Sequence, residues 1–416
     1  MNTLDLIHNI HIDEQQALDT LHLTSNESMM SKTATQFLNS PLSYRYFLGT
    51  QGDRTVDFEN QIASTGGSFM FKCYENLVKL EAEAIKSANK MYSSVYTDFR
   101  PVSGLHAGIC TISSLTKVGD IIYSIDPKDG GHFASKHYFE LLGRKSEYIP
   151  WDNKTLNVDL EKFARKIKKT GVDFVYLELG TPLFSIDLQS IRKMVGPKVI
   201  IVYDASHTLG LIAGKKYQDP LNEGADVVQG NTHKTMPGPQ KGMICVKNED
   251  LAKRLKNGIS GGLVSSQHIH HSLCLYVAIL EMEQFGVSYV EQMLKNAQVF
   301  GKELINQGFH LFNVDGVFTT SHELLIKPID GSTHFEMCKK LHRNNISTNA
   351  RTAFGEPIIR VGVQEVTRRG MKENEMKRIA EFFKKILFDH EDMKNEIIDF
   401  NSNYKDIHYS FDTSSI

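Results

Sequence analysis

From about residue 57 to residue 290 the chain alternates helix-length stretches with short runs of apolar and β-branched residues, and this alternation restricts the fold more than any other feature. The runs DIIYSID (120–126), FVYLEL (174–179), VIIVYD (199–204) and MICVK (243–247) are apolar on both faces, as strands covered on both sides must be. They predict a three-layer α/β/α domain around a mostly parallel sheet, with a ligand held outside the carboxyl ends of the strands. Asp204 closes one of these runs, so its carboxylate is expected at that crevice.

The 416 residues suffice for more than one domain. We expect an N-terminal segment over 1–56, a large domain over 57–290 and a small C-terminal domain over 291–416. A long helix over about 271–308 follows GLVSSQHIHHS and leads into the small domain. There ELLIKPI (323–329), ISTNA (346–350) and IIRVG (358–362) interleave with helices at 332–343 and 371–388, which predicts an α+β unit. The closing FNSNYKDIHYSFDTSSI has no clear period and reads as a tail or as a segment docked on a neighbour.

A formal charge of −2 without long charge blocks gives no reason to propose nucleic acid or an anionic membrane as partner, so the ligand should be small. The opening MNTLDLIHNIHIDEQQ carries acidic residues and no continuous apolar core, unlike a secretory signal or a spanning helix. No later stretch reads as apolar for long enough to span. Five cysteines without paired or metal-ligand spacing read as free thiols in a cytoplasmic protein, and no metal is expected.

The chemistry is carried by Asn231-Thr232-His233-Lys234-Thr235-Met236-Pro237-Gly238-Pro239, downstream of Asp204. A lysine on a Thr/His/Gly/Pro-rich loop, preceded by an acid at a strand end, is what a pyridoxal phosphate site requires. The amine can bond the cofactor aldehyde, and the carboxylate can keep the pyridine nitrogen protonated. That pair predicts an enzyme acting on amino acids. Ser103, Gly104 and Leu105 stand before the apolar stretch HAGICTISSL, and backbone amides at such a helix start, with a serine hydroxyl beside them, make a phosphate seat.

Five segments resemble the serine hydroxymethyltransferase family in order and spacing. They are LTSNESMMS (23–31), FRPVSGLHAG (99–108), VYDASHTLGLIAG (202–214), GNTHKTMPGPQKGMI (230–244) and IIRVGVQEVTRRG (358–370). The resemblance implies a fold-type I, pyridoxal phosphate-dependent enzyme, and a homodimer in which each site borrows residues from the neighbour. It places His207 beside the cofactor's phenolic oxygen, and Thr232 and His233 next to the cofactor lysine, Lys234. Gly262 falls in the loop that meets the neighbouring subunit's phosphate. Ser25 and Tyr46 match the family's N-terminal serine and tyrosine. Arg360 matches the arginine that grips the substrate α-carboxylate, a task suited to two parallel hydrogen bonds from a planar guanidinium. The triplet His268, His270 and His271 suits no helix-face ligand pair and reads as a polar interface loop.

The chain departs from the family pattern unevenly. Where the family has a glutamate that handles protons near folate, two residues after the tyrosine, Leu48 stands. The family's Tyr-Tyr pair becomes Thr55 and Val56, and the loop STNARTAFGEPIIR is short where folate contacts are expected. The ring-stacking histidine falls without a gap at Asp129, which we take as a site residue, although a slip brings in His132. The phosphate-side arginine becomes Gln240, with Lys241 beside it. Cofactor and carboxylate groups stay while folate groups go. The expectation is therefore a folate-independent aldolase or transaldolase acting on a serine-, threonine- or glycine-like amino acid, with an aldehyde as co-substrate. Alternatives are a true tetrahydrofolate-dependent hydroxymethyltransferase, another reaction at Cα, and a catalytically idle relative that binds the cofactor or a partner enzyme.

Overall fold

The structure is a computed structural model and describes residues 3–52, 54–65 and 69–412. Its centre is a sheet of seven strands: β1 (Tyr96–Asp98), β2 (Ile121–Ser124), β3 (Lys145–Tyr148), β4 (Phe174–Glu178), β5 (Ile200–Asp204), β6 (Val227–Asn231) and β7 (Gly242–Val246). Their spatial order is β1-β7-β6-β5-β4-β2-β3. Neighbours from β6 through β3 run parallel, and β7 is antiparallel to both β6 and β1.

All four expected strands form, but MICVK is not the parallel strand expected of it. A strand buried on both faces is apolar in either direction, so its composition carries no sign of orientation. β6, which leads straight into Lys234, does not read as a strand in the sequence because VVQGN ends in Gly and Asn, residues depleted in sheets. Gln229 is nevertheless fully buried, its amide hydrogen-bonded to Thr111, Tyr176 and Asp204.

The helix Gly104–Leu115 lies against β6 and β7. It packs Ala107, Cys110, Ile112 and Leu115 into a core with Ile122, Phe174, Val202, Val227 and Ile244. The helix Leu160–Thr170 buries Phe163 and turns its charged residues to solvent. Two tight features hold the site's framework. A Cβ on Gly104 would fall 2.6 Å from the Asn231 side chain, and one on Gly210 would fall 2.2 Å from the Thr235 carbonyl oxygen. Only glycine lets those segments approach so closely.

The chain divides into two compact units. One comprises Ser28–Glu291, Ala353–Gly355 and Tyr409–Ile416 and contains the seven-stranded sheet. The other comprises Met1–Glu27, Gln292–Thr352 and Glu356–His408. Its three-stranded antiparallel sheet orders Glu323–Ile326, Glu356–Gly362 and Asn349–Ala353, with helices His334–Arg343 and Glu373–Leu387 as expected from the sequence. The helix His334–Arg343 starts with a capping box between Thr333 and Glu336, satisfying two backbone donors at once.

The helix Ile269–Asn306 corrects one expectation: it holds a stretch long and apolar enough, by composition, to cross a membrane. The protein buries 67% of that stretch, as befits a core helix. The C-terminal segment also settles, since Tyr409 packs on Tyr289 and Phe411 on Phe285 of the same chain, and Phe411 N–H donates to Glu281. Its last residues, 413–416, lie outside the described residues.

Candidate active site

The carboxyl ends of β4, β5 and β6 converge on a cleft of about 120 Å³. Ser103, Gly104, Leu105, His207 and Lys234 line it, together with His132, Tyr138, Tyr176, Glu178 and Asn231. The loop after β6 is closed at its base by Thr232, whose hydroxyl donates to the Pro239 and Lys241 carbonyls at 2.7 and 3.1 Å. Lys234 is only 8% exposed, and its Nζ lies 3.0 Å from His207 Nε2. Thr235 secures that histidine's backbone by donating to the His207 carbonyl at 2.8 Å. His233 is half-buried on the same loop.

Asp204 is buried at 6% exposure, next to Tyr176 of the cleft lining. Its Oδ2 accepts from the Tyr176 hydroxyl at 2.9 Å and from Gln229 at 3.1 Å, and its Oδ1 from Ser206 N–H at 2.9 Å. These donors fix the carboxylate at the end of the strand. At the helix start, Ser103 Oγ accepts from His106 N–H at 3.0 Å and Gly104 N–H donates to Asn231 at 2.8 Å. Leu105 N–H is the remaining donor of that first turn without a hydrogen bond among the described residues. Arg100, inside the same motif, points inward to an ion pair with Asp98 at 2.6 Å, both side chains buried.

Glu178 is a further acid of the cleft, outside the residues expected from the sequence. It ends β4 in register with Asp204 on β5, so two carboxylates sit side by side at one sheet edge. Burial, and then the Asp204 charge, push the Glu178 carboxyl up to about 8, against the pull of a Ser135 hydrogen bond and of Lys234. The signal that picked out Asp204, an acid closing an apolar run, was present in FVYLEL as well.

Asp129 is not among the residues lining this cleft. It ends the turn Pro127–Asp129 and lines a separate depression with Tyr148 and Trp151. His132, three residues on and the residue that a slip in register brings in, takes a place in the cleft. Lys241, beside Gln240, is buried and its amine is pulled down to about 8 by that burial. Leu48 is buried at 4% exposure. Tyr46 is exposed and stacks on Phe71 at 4.9 Å, and Gly262 sits in the turn Ile259–Leu263 with a φ of 151°.

In the other unit Arg360 is buried, its Nε donating to Asn349 at 3.0 Å and its Nη2 to Asn26, with Glu323 at 4.0 Å. Burial lowers the guanidinium to about 10, Glu323 opposing the fall. Ser25 packs against Gly362 on the same strand as Arg360 and donates to the Asn26 side chain at 3.4 Å. The two expected carboxylate-side residues therefore meet through Asn26.

This donor set fits pyridoxal phosphate: a buried amine for the aldehyde, a fixed carboxylate for the ring nitrogen and a capped helix start for the phosphate. The family model for serine hydroxymethyltransferase matches residues 2–383. The serine hydroxymethyltransferase of Methanosphaera stadtmanae is 35% identical over 409 residues, covering 95% of this chain and 92% of that protein. A fluorothreonine transaldolase of Streptantibioticus cattleyicolor is 33% identical over 384 residues, 92% of this chain and 60% of that protein. Among solved structures, L-threonine transaldolase from Pseudomonas fluorescens, in its internal aldimine state, is similar at a TM-score of 0.89 and 27% identity, covering 98% of this chain and 93% of that one. The chain thus belongs to the serine hydroxymethyltransferase family and is a fold-type I, pyridoxal phosphate-dependent enzyme.

Proposed function

We propose that this enzyme breaks and forms the Cα–Cβ bond of a small β-hydroxy amino acid of the serine or threonine type without folate, as an aldolase or, with an aldehyde acceptor, a transaldolase. The observation that carries this reading is Leu48, a buried apolar side chain where the resemblance puts the proton-handling glutamate of the folate side. The short hairpin tip supports it. Phe354 there is 5% exposed, packed against Gly130 and stacked on Trp151 at 6.4 Å, where a longer loop is expected to offer folate contacts.

Once bound, the cofactor supplies an electron sink for the carbon bearing the amino group. Lys234 holds the cofactor aldehyde, and His207, 3.0 Å from Nζ, orients that amine. Asp204, anchored by three donors, keeps the ring nitrogen protonated. Ser103, Gly104 and Leu105 seat the phosphate. Arg360, which matches the family's carboxylate arginine and shares Asn26 with Ser25, is the residue proposed for the α-carboxylate. Two copies are proposed to share their sites, with Tyr46 and the Gly262 loop reaching the neighbour. The exposure of Tyr46 (59%), Phe69 (65%) and Met70 (66%) suits such a covered face. The free cysteines suit the cytoplasm.

The second reading, a tetrahydrofolate-dependent hydroxymethyltransferase, is favoured by the name of the Methanosphaera stadtmanae relative. A product screen separates the two: amino acids are offered with and without tetrahydrofolate and with and without aldehydes, and glycine release and cofactor absorbance are followed. Glycine from threonine without folate is the expected outcome. Turnover of serine alone, and only with folate, would overturn the proposal.

A further inference from the structure

β6 carries Gln229 in its middle, where a strand covered on both faces is ordinarily apolar, and this glutamine is 0% exposed. An amide in such a place is costly unless its donors and its acceptor are used. Here they are used, and in one direction. Thr111, from the helix Gly104–Leu115, donates its hydroxyl to Gln229 Oε1 at 2.5 Å. That turns the amide nitrogen the other way, where it donates to the Tyr176 hydroxyl oxygen at 2.8 Å and to Asp204 Oδ2 at 3.1 Å. The Tyr176 hydroxyl, having accepted from Gln229, gives its own proton to the same Asp204 oxygen at 2.9 Å. A carboxylate only accepts, so the chain from Thr111 to Asp204 has a single polarity, with every proton aimed at the acid.

Resting on the reading of Asp204 as the partner of the ring nitrogen, we propose that Tyr176 and Gln229 are positioning residues for that acid. Their two donors on Oδ2, with Ser206 N–H on Oδ1, keep the carboxyl group from turning and hold its charge at one place. The four members of the chain ride on four elements. Thr111 sits on the helix that begins at the phosphate seat and Gln229 on the strand that leads into Lys234, whereas Tyr176 and Asp204 sit on β4 and β5. The network thus registers the acid against both other points at which the cofactor is held, and this gives a polar residue a reason to interrupt the apolar pattern of β6. Only the Tyr176 hydroxyl and the Gln229 amide are required for it; the carbon atoms of both side chains fill the core.

The test is a binding comparison on the cofactor-free protein, by equilibrium dialysis, between pyridoxal phosphate and its 1-deaza analogue. The analogue carries carbon in place of the ring nitrogen and keeps the aldehyde and the phosphate, so it reports on the site without the contact to Asp204. The parent is expected to favour pyridoxal phosphate, and Asp204→Asn to remove that preference. Tyr176→Phe, which takes away one oxygen atom and keeps the ring, should cut the preference by about 10-fold, the size of one hydrogen bond to a charged group. The dissociation constant of the analogue should stay within about 3-fold of the parent's, less than the effect of one such hydrogen bond. Gln229→Leu should act in the same direction, and Tyr176→Phe alone decides if that variant does not fold. Equal weakening of both ligands would mean that the network only supports the fold, and an unchanged preference would mean that it does not act on Asp204; either result overturns the proposal. A parent that binds the two ligands equally well would instead remove Asp204 as the ring partner, and the proposal would fall with that reading.

Discussion

At the scale of single residues, the site combines a buried amine with two neighbouring carboxyl groups, of which Glu178 is raised well above the ordinary carboxylate range by burial. Lys234→Ala is expected to abolish the borohydride-trapped pyridoxyl adduct at position 234 and to lower turnover by at least about 10³-fold, with far-UV circular dichroism unchanged. Peptide mass mapping of the reduced protein checks it, and an adduct on another lysine would show the assignment to be wrong. Glu178 gives a separate prediction for the cofactor-free protein. Its carboxyl is raised to about 8 in the fold from an ordinary 4.5, so the folded chain holds a proton there that the unfolded chain releases. The stability this proton supplies is complete below the unfolded value and disappears as pH rises through about 8. Denaturant midpoints should therefore fall from about pH 5 to about pH 8, and Glu178→Gln, which cannot ionise, should flatten that fall. An identical slope in both proteins would count against a Glu178 carboxyl raised by burial and by the Asp204 charge.

At the scale of elements, the cleft depends on how the helix Gly104–Leu115 begins and on how tightly the loop after β6 is packed. Ser103→Ala removes the acceptor for His106 N–H and should destabilise the protein by about 1 kcal/mol. It should also weaken cofactor binding through the phosphate seat, which equilibrium titration with pyridoxal phosphate measures. Gly210→Ala places a methyl group 2.2 Å from a carbonyl oxygen of the lysine loop, where backbone, not a flexible side chain, must yield. A loss of about 1–3 kcal/mol is expected, together with a lower cofactor affinity, because Thr235 carries the displacement to Lys234. A change in melting temperature without any change in affinity would separate the loop's packing from the site. The elements themselves were legible to different degrees. Runs such as VIIVYD announce buried strands, whereas β6 hides its identity because its polar residues are satisfied by partners far away in sequence, Thr111 and Tyr176 among them.

At the scale of the molecule, the helix Thr3–Asp19 has no buried residue and leaves Leu4, Ile7 and Ile12 exposed at 75%, 62% and 65%. Exposed apolar rows of this kind call for a covering surface. A mass of twice 47.0 kDa by light scattering is the expected result. If the sites are shared, mixing an inactive Lys234→Ala chain with an inactive Tyr46→Ala chain should restore part of the activity. A fully active monomer would remove the basis for a shared site. The long helix Ile269–Asn306 shows why composition alone misleads at this scale, since the same apolar stretch suits a membrane or a protein interior and only its neighbours distinguish them.

From residues alone came the class of fold and the cofactor, because strand periodicity and the chemistry of an amine with an acid are local properties written in short segments. Tertiary structure decided the direction of β7, the identity of β6, the exchange of Asp129 for His132 in the cleft and the meeting of Ser25 with Arg360 through Asn26. It also brought Glu178 beside Asp204 and behind His132. Each of these depends on strand pairing or on a turn of a few residues. The energies that choose among such arrangements come from contacts between segments tens to hundreds of positions apart, which no local pattern records.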